Sequence, residues 1–147
     1  MSGNGLHVLA GLDGSGESRA ALASAVRLFR ASISHVTLAV ALDYDGDLRN
    51  VPQSEEDRAR AILADAAPLV VDALGVEPAQ VVLVGRPADA LCRYARDHEC
   101  DLVVVGPRGH GASRWFFGSV ASQLARGAGV PVAILPATAA VGVQQVS

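Results

Sequence analysis

Short apolar runs alternate along this chain with segments whose apolar residues recur at helical spacing. The runs fit buried strands, because they are rich in Val, Leu and Ala and show little polar alternation. They lie at Leu6–Leu12, Val36–Leu42, Gln80–Val84, Leu102–Val105 and Val130–Leu135. A helical segment follows each of the first four runs. This order predicts an α/β protein, with a single five-stranded parallel sheet and helices on both faces.

The first two helical segments carry their own boundary signals. The first is predicted from Ser18 onward, where an amphipathic stripe begins. Tyr44–Gln53 contains Asp, Gly, Asn and Pro, which predicts a loop before the second helix. Ser54 is predicted to cap that helix and Gly75 to end it. Pro68 lies between them and is predicted to kink or split the helix, because proline removes an N–H donor.

The remaining helices and the tail complete a one-domain prediction. Pro87 is predicted at the first position of the third helix, where proline is favoured. The fourth helix is predicted over Val120–Ala128. We expect one domain over residues 1–147, with a core at about 6–136 and a flexible tail at 137–147.

Composition and charge exclude several classes of protein. The net charge is −3, so no basic surface indicates nucleic acid. No apolar run approaches the ~18–20 residues that cross a bilayer, so we expect no membrane association. Met1–Gly5 has no secretory signal pattern, which favours a cytoplasmic protein. Cys92 and Cys100 have no metal-site spacing and are predicted to be buried small apolar residues.

The segment Asp101–Ser119 has the pattern of a phosphate-binding loop. An apolar run ends at Gly106, a glycine-rich loop follows, and a Gly-Ser pair precedes the fourth helix. Glycines let the backbone approach an anion, and a helix start supplies N–H groups and the positive end of a dipole. Arg108, His110 and Arg114 can add positive charge. This segment predicts a nucleotide or another phosphate ligand.

Other motifs for phosphate or metal are absent. Gly11–Ser18 has the glycine spacing of a P-loop, but Glu17 stands where the lysine would be. Gly14 and Gly16 begin a dinucleotide fingerprint whose third glycine position is Arg19. The four histidines lie far apart in sequence and indicate no metal site, and the sequence assigns no metal ligand.

Three motifs in register resemble the universal stress protein family. They are Leu12-Asp13-Gly14-Ser15, Val84-Gly85-x-Pro87, and Gly106-x2-Gly109-x8-Gly118-Ser119 followed by an apolar helix and Val130-Pro131-Val132. The resemblance covers about residues 6–136. It implies a doubly wound, Rossmann-like fold of the adenine nucleotide alpha hydrolase type, with strand order 3-2-1-4-5. It also implies ATP between the first and fourth strands, with Mg²⁺ as a further expectation and AMP or ADP as alternatives.

The resemblance also implies which residues hold the nucleotide. Asp13 would hydrogen-bond the adenosine, and Ala41 would lie near the base. The remaining expected nucleotide-binding residues act through backbone, hydroxyl or charge, and they are Gly11, Leu12, Val105, Gly106, Arg108, Gly109, Gly118, Ser119 and Val120. No catalytic residue is implied. We therefore expect at most slow ATP hydrolysis, in a protein of stress response or signalling.

The glycine loop departs from the family pattern. It is one residue shorter between Gly109 and Gly118 than is usual in nucleotide-binding members, which shortens its reach by up to ~3.3–3.6 Å. Pro107 removes a further N–H donor, whereas Gly111 could let the loop take another path. The alternative is a nucleotide-free interaction protein of the same fold.

The candidate residues also have structural explanations. Asp13 could simply be a turn or cap residue, and Gly106 and Gly109 could serve only a tight strand-to-helix connection. Ser119 is predicted to cap the fourth helix in either case.

Two further surfaces are candidates for protein contacts. Trp115, Phe116 and Phe117 are adjacent in the loop, so they form either a packed lid or an exposed partner site. The family order would place Val130–Leu135 at a sheet edge. Because exposed edges tend to pair, we expect a homodimer through this strand.

Overall fold

A computed structural model describes residues 5–45, 47–107 and 129–136 of the chain. Its elements are β1 (Leu6–Gly11), α1 (Gly16–Leu28), β2 (Ile33–Leu42), α2 (Gln53–Leu74), β3 (Ala79–Val84), α3 (Pro87–Asp97), β4 (Leu102–Val105) and β5 (Val132–Ile134). A single 3₁₀ turn, Leu48–Asn50, lies between β2 and α2. The predicted fourth helix and the tail lie outside the described residues.

The five strands form one parallel sheet in the order β3-β2-β1-β4-β5. This confirms the predicted fold class and strand order. The chain proceeds outward from β1 to β2 and β3, then crosses to the other side of β1 to form β4 and β5. The strand order therefore reverses between β1 and β4, the place where open α/β sheets bind ligands beyond the carboxyl ends of their strands.

Two apolar layers cover the sheet because successive strand residues point to opposite faces. On one face, Leu9 and Val103 pack with Leu91 of α3. On the other face, Val8 and Val104 pack with α1, and the alternate residues of β2 pack with α1 and α2. Both faces of the central strands are thus buried, as their unbroken apolar sequence predicts. Within the described residues, no helix has both the length and the hydropathy that a bilayer span requires.

The second helix corrects two predictions. Ser54 is not its cap, because α2 already begins at Gln53 with Pro52 in the capping position and no side-chain capping bond. Of the two outcomes predicted at Pro68, a kink or a split, the split is wrong, because the helix continues to Leu74. Pro68 is exposed, so a carbonyl that loses its partner there can bond to water. Gly75 ends the helix in a left-handed conformation (φ 74°), as predicted.

Other boundaries move by a few residues. The first helix begins at Gly16, before the predicted Ser18, and β2 begins three residues before the predicted Val36. The last strand is shorter than predicted, although the Val103 N–H donates to the Pro131 carbonyl (2.9 Å) and the Leu135 N–H donates to the Val105 carbonyl (3.1 Å). The hydrogen bonds between β4 and β5 therefore extend one residue beyond Val132–Ile134 at each end.

Candidate functional site

The carboxyl end of β1 turns directly into the start of α1. Gly11 is the last strand residue, and the Leu12 N–H still donates to the Ala39 carbonyl of β2 at 2.8 Å. The Leu12 side chain is buried in the layer beneath α2, on the opposite face from Ala39. Leu12 therefore anchors the loop by its side chain, while its backbone continues along the edge of the sheet.

Asp13 opens a tight turn that sets up the helix. Its carboxylate accepts a hydrogen bond from the Ser15 N–H at 2.9 Å, the pattern of an Asx turn. Gly14 follows with φ 88°, a conformation that favours glycine. The Ser15 hydroxyl then accepts from the Ser18 N–H at 3.0 Å and caps α1. The Ser18 hydroxyl lies 3.3 Å from the Asp13 N–H and accepts from it. Asp13 is thus held within an ordered turn.

The carboxyl end of β4 passes very close to this turn. Val105 is buried, and Gly106 follows it against the first turn of α1. A Cβ atom at Gly106 would lie 2.9 Å from the Glu17 carbonyl oxygen and 3.2 Å from the Ser18 nitrogen. Only a residue without a side chain fits that gap. The β1 and β4 loops are therefore in near contact at the point where the strand order reverses.

Ala41 lies near the carboxyl end of the neighbouring strand. It is buried and belongs to the same apolar cluster as Val105, on the α3 face of the sheet. It pairs in register with Leu83 of β3. Because the alanine side chain is small, it occupies little space at this position.

Six of the predicted site residues thus lie along the same edge of the sheet. They are Gly11, Leu12, Asp13, Ala41, Val105 and Gly106. The predicted phosphate-loop residues Arg108, Gly109, Gly118, Ser119 and Val120 lie outside the described residues, as do Trp115, Phe116 and Phe117.

The edge offers backbone groups, a carboxylate and the amino end of a helix. Two strand ends and the start of α1 meet there, so the partial positive charge of the α1 terminus lies beside Asp13. Glu17 in the first turn of α1 offsets part of that charge. Among the described residues, no group of three or more His, Cys, Asp or Glu side chains could hold a metal ion. The backbone groups, the Asp13 carboxylate and the start of α1 can form hydrogen bonds with a polar ligand.

A polar cluster that the sequence did not predict lies at the opposite, amino edge of the sheet. His7 Nε2 lies 2.8 Å from the Thr37 hydroxyl, and the backbone N–H of His7 donates to the Asp101 carboxylate at 2.9 Å. The ring of His35 is 5.9 Å from that of His7. Histidines that are distant in sequence meet here because parallel strands begin at the same edge. Burial lowers the pKa of His7, as does the nearby His35, while Asp101 opposes them.

The cysteines match the prediction of buried small residues. Cys92 is buried on the inner face of α3, and Cys100 is buried with its sulfur 3.8 Å from His7 Nε2. Both thiols are free. Burial raises the pKa of Cys100 to about 11, with Asp101 adding to the effect, and burial also raises the pKa of Cys92. Thiols with raised pKa values are poor nucleophiles at neutral pH.

The sequence has relatives of known family. A universal stress protein of Mycobacterium tuberculosis H37Rv is 31% identical over an alignment of length 142, and the match covers 87% of this chain and 47% of the relative. A Mycobacterium bovis universal stress protein matches to the same extent. The chain therefore spans about half the length of these curated relatives.

Solved structures match across nearly the whole chain. A universal stress protein crystallised in complex with cAMP is 29% identical, with a TM-score of 0.72, and the match covers 90% of this chain and 97% of that one. A universal stress protein of Lactobacillus plantarum has a TM-score of 0.74 at 20% identity, covering 88% and 97% of the two chains, a likeness of fold. The sequence model of the universal stress protein family itself matches residues 6–136. The protein belongs to the universal stress protein family.

Proposed function

We propose that this protein binds an adenine nucleotide at the carboxyl edge of its sheet, between β1 and β4, and serves in cytoplasmic stress response or signalling. The observation that carries the proposal is the near contact of the Asp13 turn with Gly106, at the position where the strand order reverses. Sheets of this type bind ligands at that position. The relative solved with cAMP supports an adenine nucleotide.

In this proposal each part of the edge has a separate role. The Asp13 carboxylate binds the adenosine, and Ala41 lies near the base. Backbone groups of Gly11, Leu12, Val105 and Gly106 line the pocket. The phosphates lie against the glycine loop, at Arg108, Gly109, Gly118, Ser119 and Val120. ATP with Mg²⁺ is the proposed ligand, with AMP, ADP or a cyclic nucleotide as alternatives.

The nucleotide acts here as a marker of state and not as a substrate for rapid turnover. Phosphoryl transfer needs a positioned metal and a group that orients the attacking water. The six site residues at the described edge include one carboxylate, that of Asp13, and neither a histidine nor a lysine. Bound ATP would then shift loop conformation and partner choice through its different affinity for the two states.

The structural roles of Asp13 and Gly106 favour a second function, that of an interaction protein without a nucleotide. Asp13 holds the turn before α1, and Gly106 is required by the close approach of Glu17. Both residues would be needed in a protein that binds no nucleotide. In that case the shortened glycine loop does not hold ATP. The protein would act by binding partners through the aromatic triplet Trp115–Phe117 and the β5 edge.

We also propose a homodimer through the last strand. β5 pairs with β4 on one side, and its three residues are only partly buried, so its other edge can pair with a second copy. Sedimentation at micromolar concentration should show a dimer. Ile134→Pro should dissociate it, because the Ile134 N–H points away from β4 and a proline there removes a donor for the partner strand. A wild-type monomer would contradict this part.

The direct experiment asks what the purified protein carries and binds. Heating should release a small molecule with adenine absorbance and a nucleotide mass. Calorimetric titrations of stripped protein with Mg-ATP, ADP, AMP and cAMP then rank the ligands. Gly118→Val should abolish binding, because a branched side chain prevents approach of the phosphates. A blank release together with no heat of binding for any of the four nucleotides would favour the second function.

A further inference from the structure

A crevice separates the start of α1 from the middle of α2, on the side of the β1–α1 loop that faces α2. Its volume is about 270 Å³. Leu12, Gly14 and Ser15 form one wall, and Ala61, Ile62 and Ala66 of α2 form the other. Gly14 lies close to α2, since a Cβ built there would lie 3.0 Å from Ile62 Cδ1. The crevice is distinct from the nucleotide edge but shares the Asp13 turn with it.

The walls of this crevice are chemically apolar although two serines line it. The Ser15 hydroxyl accepts from the Ser18 N–H, and the Ser18 hydroxyl donates to the Ser15 carbonyl at 3.1 Å. Both hydroxyls are therefore engaged within the turn. The remaining surface is aliphatic, from Leu12, Ile62 and the α2 alanines. A ligand would find few hydrogen-bonding groups on these walls.

The rim of the crevice carries a surplus of one positive charge. Arg19 is paired with the Asp65 carboxylate and also donates to the Asp65 carbonyl at 3.2 Å, which joins α1 to α2 at one end. Arg58 lines the rim too, and within the part of the chain that the structure describes its side chain makes no hydrogen bond or ion pair. The three charged residues sum to +1. A monoanion complements that charge.

We propose that this crevice binds a small monocarboxylic acid with an aromatic or branched aliphatic body. The body would lie against Ala61 and Ile62, above the buried Leu12 side chain, and the carboxylate would pair with Arg58. An apolar cavity of about 150 Å³ holds benzene, so this crevice suits a ligand of about eight to eleven non-hydrogen atoms. A phosphate suits it less, because a dianion needs more donors than one exposed guanidinium provides. This inference does not depend on the nucleotide role.

The test is a titration of the nucleotide-free full chain with sodium benzoate, followed by ¹H–¹⁵N correlation spectra. We expect saturable shifts at Ser15, Ile62 and Ala66. Arg58→Gln should weaken binding about fivefold or more, because it removes a charge-assisted hydrogen bond. Benzyl alcohol, which has the same ring without the charge, should bind more weakly to the wild type by a similar factor. Equal affinity for the two compounds would overturn the assignment of Arg58.

Two alanines of α2 provide a matched pair of variants. Ala61 lines the crevice and Ala64 does not, and both are exposed in the same helix. Ala61→Phe should fill the crevice and abolish the benzoate shifts, whereas Ala64→Phe should leave them intact. Shifts that survive Ala61→Phe in a folded protein would disprove the site.

A competition experiment separates this site from the nucleotide pocket. Benzoate shifts should persist at saturating Mg-ATP. Loss of the shifts would mean that benzoate occupies the nucleotide pocket, and the crevice proposal would be wrong. If the protein binds no nucleotide, the proposed function fails while the benzoate titration and its variants still decide the crevice.

Discussion

The two edges of the sheet solve different physical problems. At the carboxyl edge, backbone segments approach so closely that there is no room for a Cβ at Gly106. At the amino edge, side-chain groups make the contacts: the His7 ring lies within hydrogen-bond distance of the Thr37 hydroxyl, and the Asp101 carboxylate accepts from the His7 backbone N–H. Adding an atom at the carboxyl edge should therefore lower the stability of the protein, whereas at the amino edge removing a polar atom should do so. An edge built from backbone can receive a ligand, whereas the amino edge already uses its polar groups internally.

The largest effect should come from adding one methyl group at the carboxyl edge. Gly106→Ala places a carbon 2.9 Å from the Glu17 carbonyl oxygen, which forces β4 and α1 apart. We expect the free energy of unfolding to fall by about 2–3 kcal/mol, measured by urea denaturation. Gly16→Ala is the matched control, since a Cβ there meets no atom within 4 Å. Equal stability of the two variants would refute the close approach.

The next effect separates the turn role of Asp13 from its ligand role. Asp13→Ala removes both the acceptor for the Ser15 N–H and the proposed adenosine contact. We expect nucleotide affinity to fall at least about tenfold, or ~1.4 kcal/mol, by calorimetry. Asp13→Asn keeps an acceptor for the turn but removes the charge. If Asp13→Ala binds nucleotide as tightly as wild type, Asp13 has only a structural role.

A smaller effect is expected from removing one hydroxyl at the amino edge. Thr37 is 3% exposed and its hydroxyl lies 2.8 Å from His7 Nε2. Thr37→Val keeps the volume and removes the bond, so unfolding free energy should fall by about 1 kcal/mol. Nucleotide affinity should not change, because the substitution lies at the opposite edge. The double variant with His7→Phe should cost less than the sum of the single variants.

The smallest effect should appear as a slope of stability against pH. The lowered pKa of His7 means that the unfolded chain takes up this proton more readily than the folded protein. Stability is therefore full above the unfolded value of 6.5 and falls as the pH drops below it toward the folded value. His7→Gln should flatten that slope, as measured by urea unfolding at a series of pH values. His35→Gln should flatten it less, because His35 acts only as a neighbouring charge; an unchanged slope in His7→Gln would contradict the assignment.

Local sequence signals predicted the elements well where the signal and the structure depend on the same few residues. Gly75 and Pro87 mark helix boundaries through their own backbone geometry, so their sequence context was sufficient. Ser54 failed because capping depends on where the incoming chain enters the helix, and Pro52 already occupies that position. The split predicted as one outcome at Pro68 was wrong, because Pro68 is exposed and a carbonyl that loses its partner there can bond to water.

The candidate site was predictable in part for the same reason. The motif around Asp13 and Gly106 placed both residues at strand ends, and parallel strand ends meet at one edge. The reason why glycine is required at position 106 could not be predicted from the sequence. It comes from Glu17, a residue that is distant in sequence and reaches Gly106 only through packing of α1 on β4.

The sequence by itself determined the alternation of strands and helices, the burial of the sheet on both faces and, through its motifs, the family. These properties follow from the periodicity and backbone preferences of neighbouring residues. The tertiary structure decided what distant residues do together: the meeting of His7 with Thr37 and Asp101, and the crevice between α1 and α2. Such contacts depend on strand register and helix packing, which involve the whole chain at once and have no signature in any single segment.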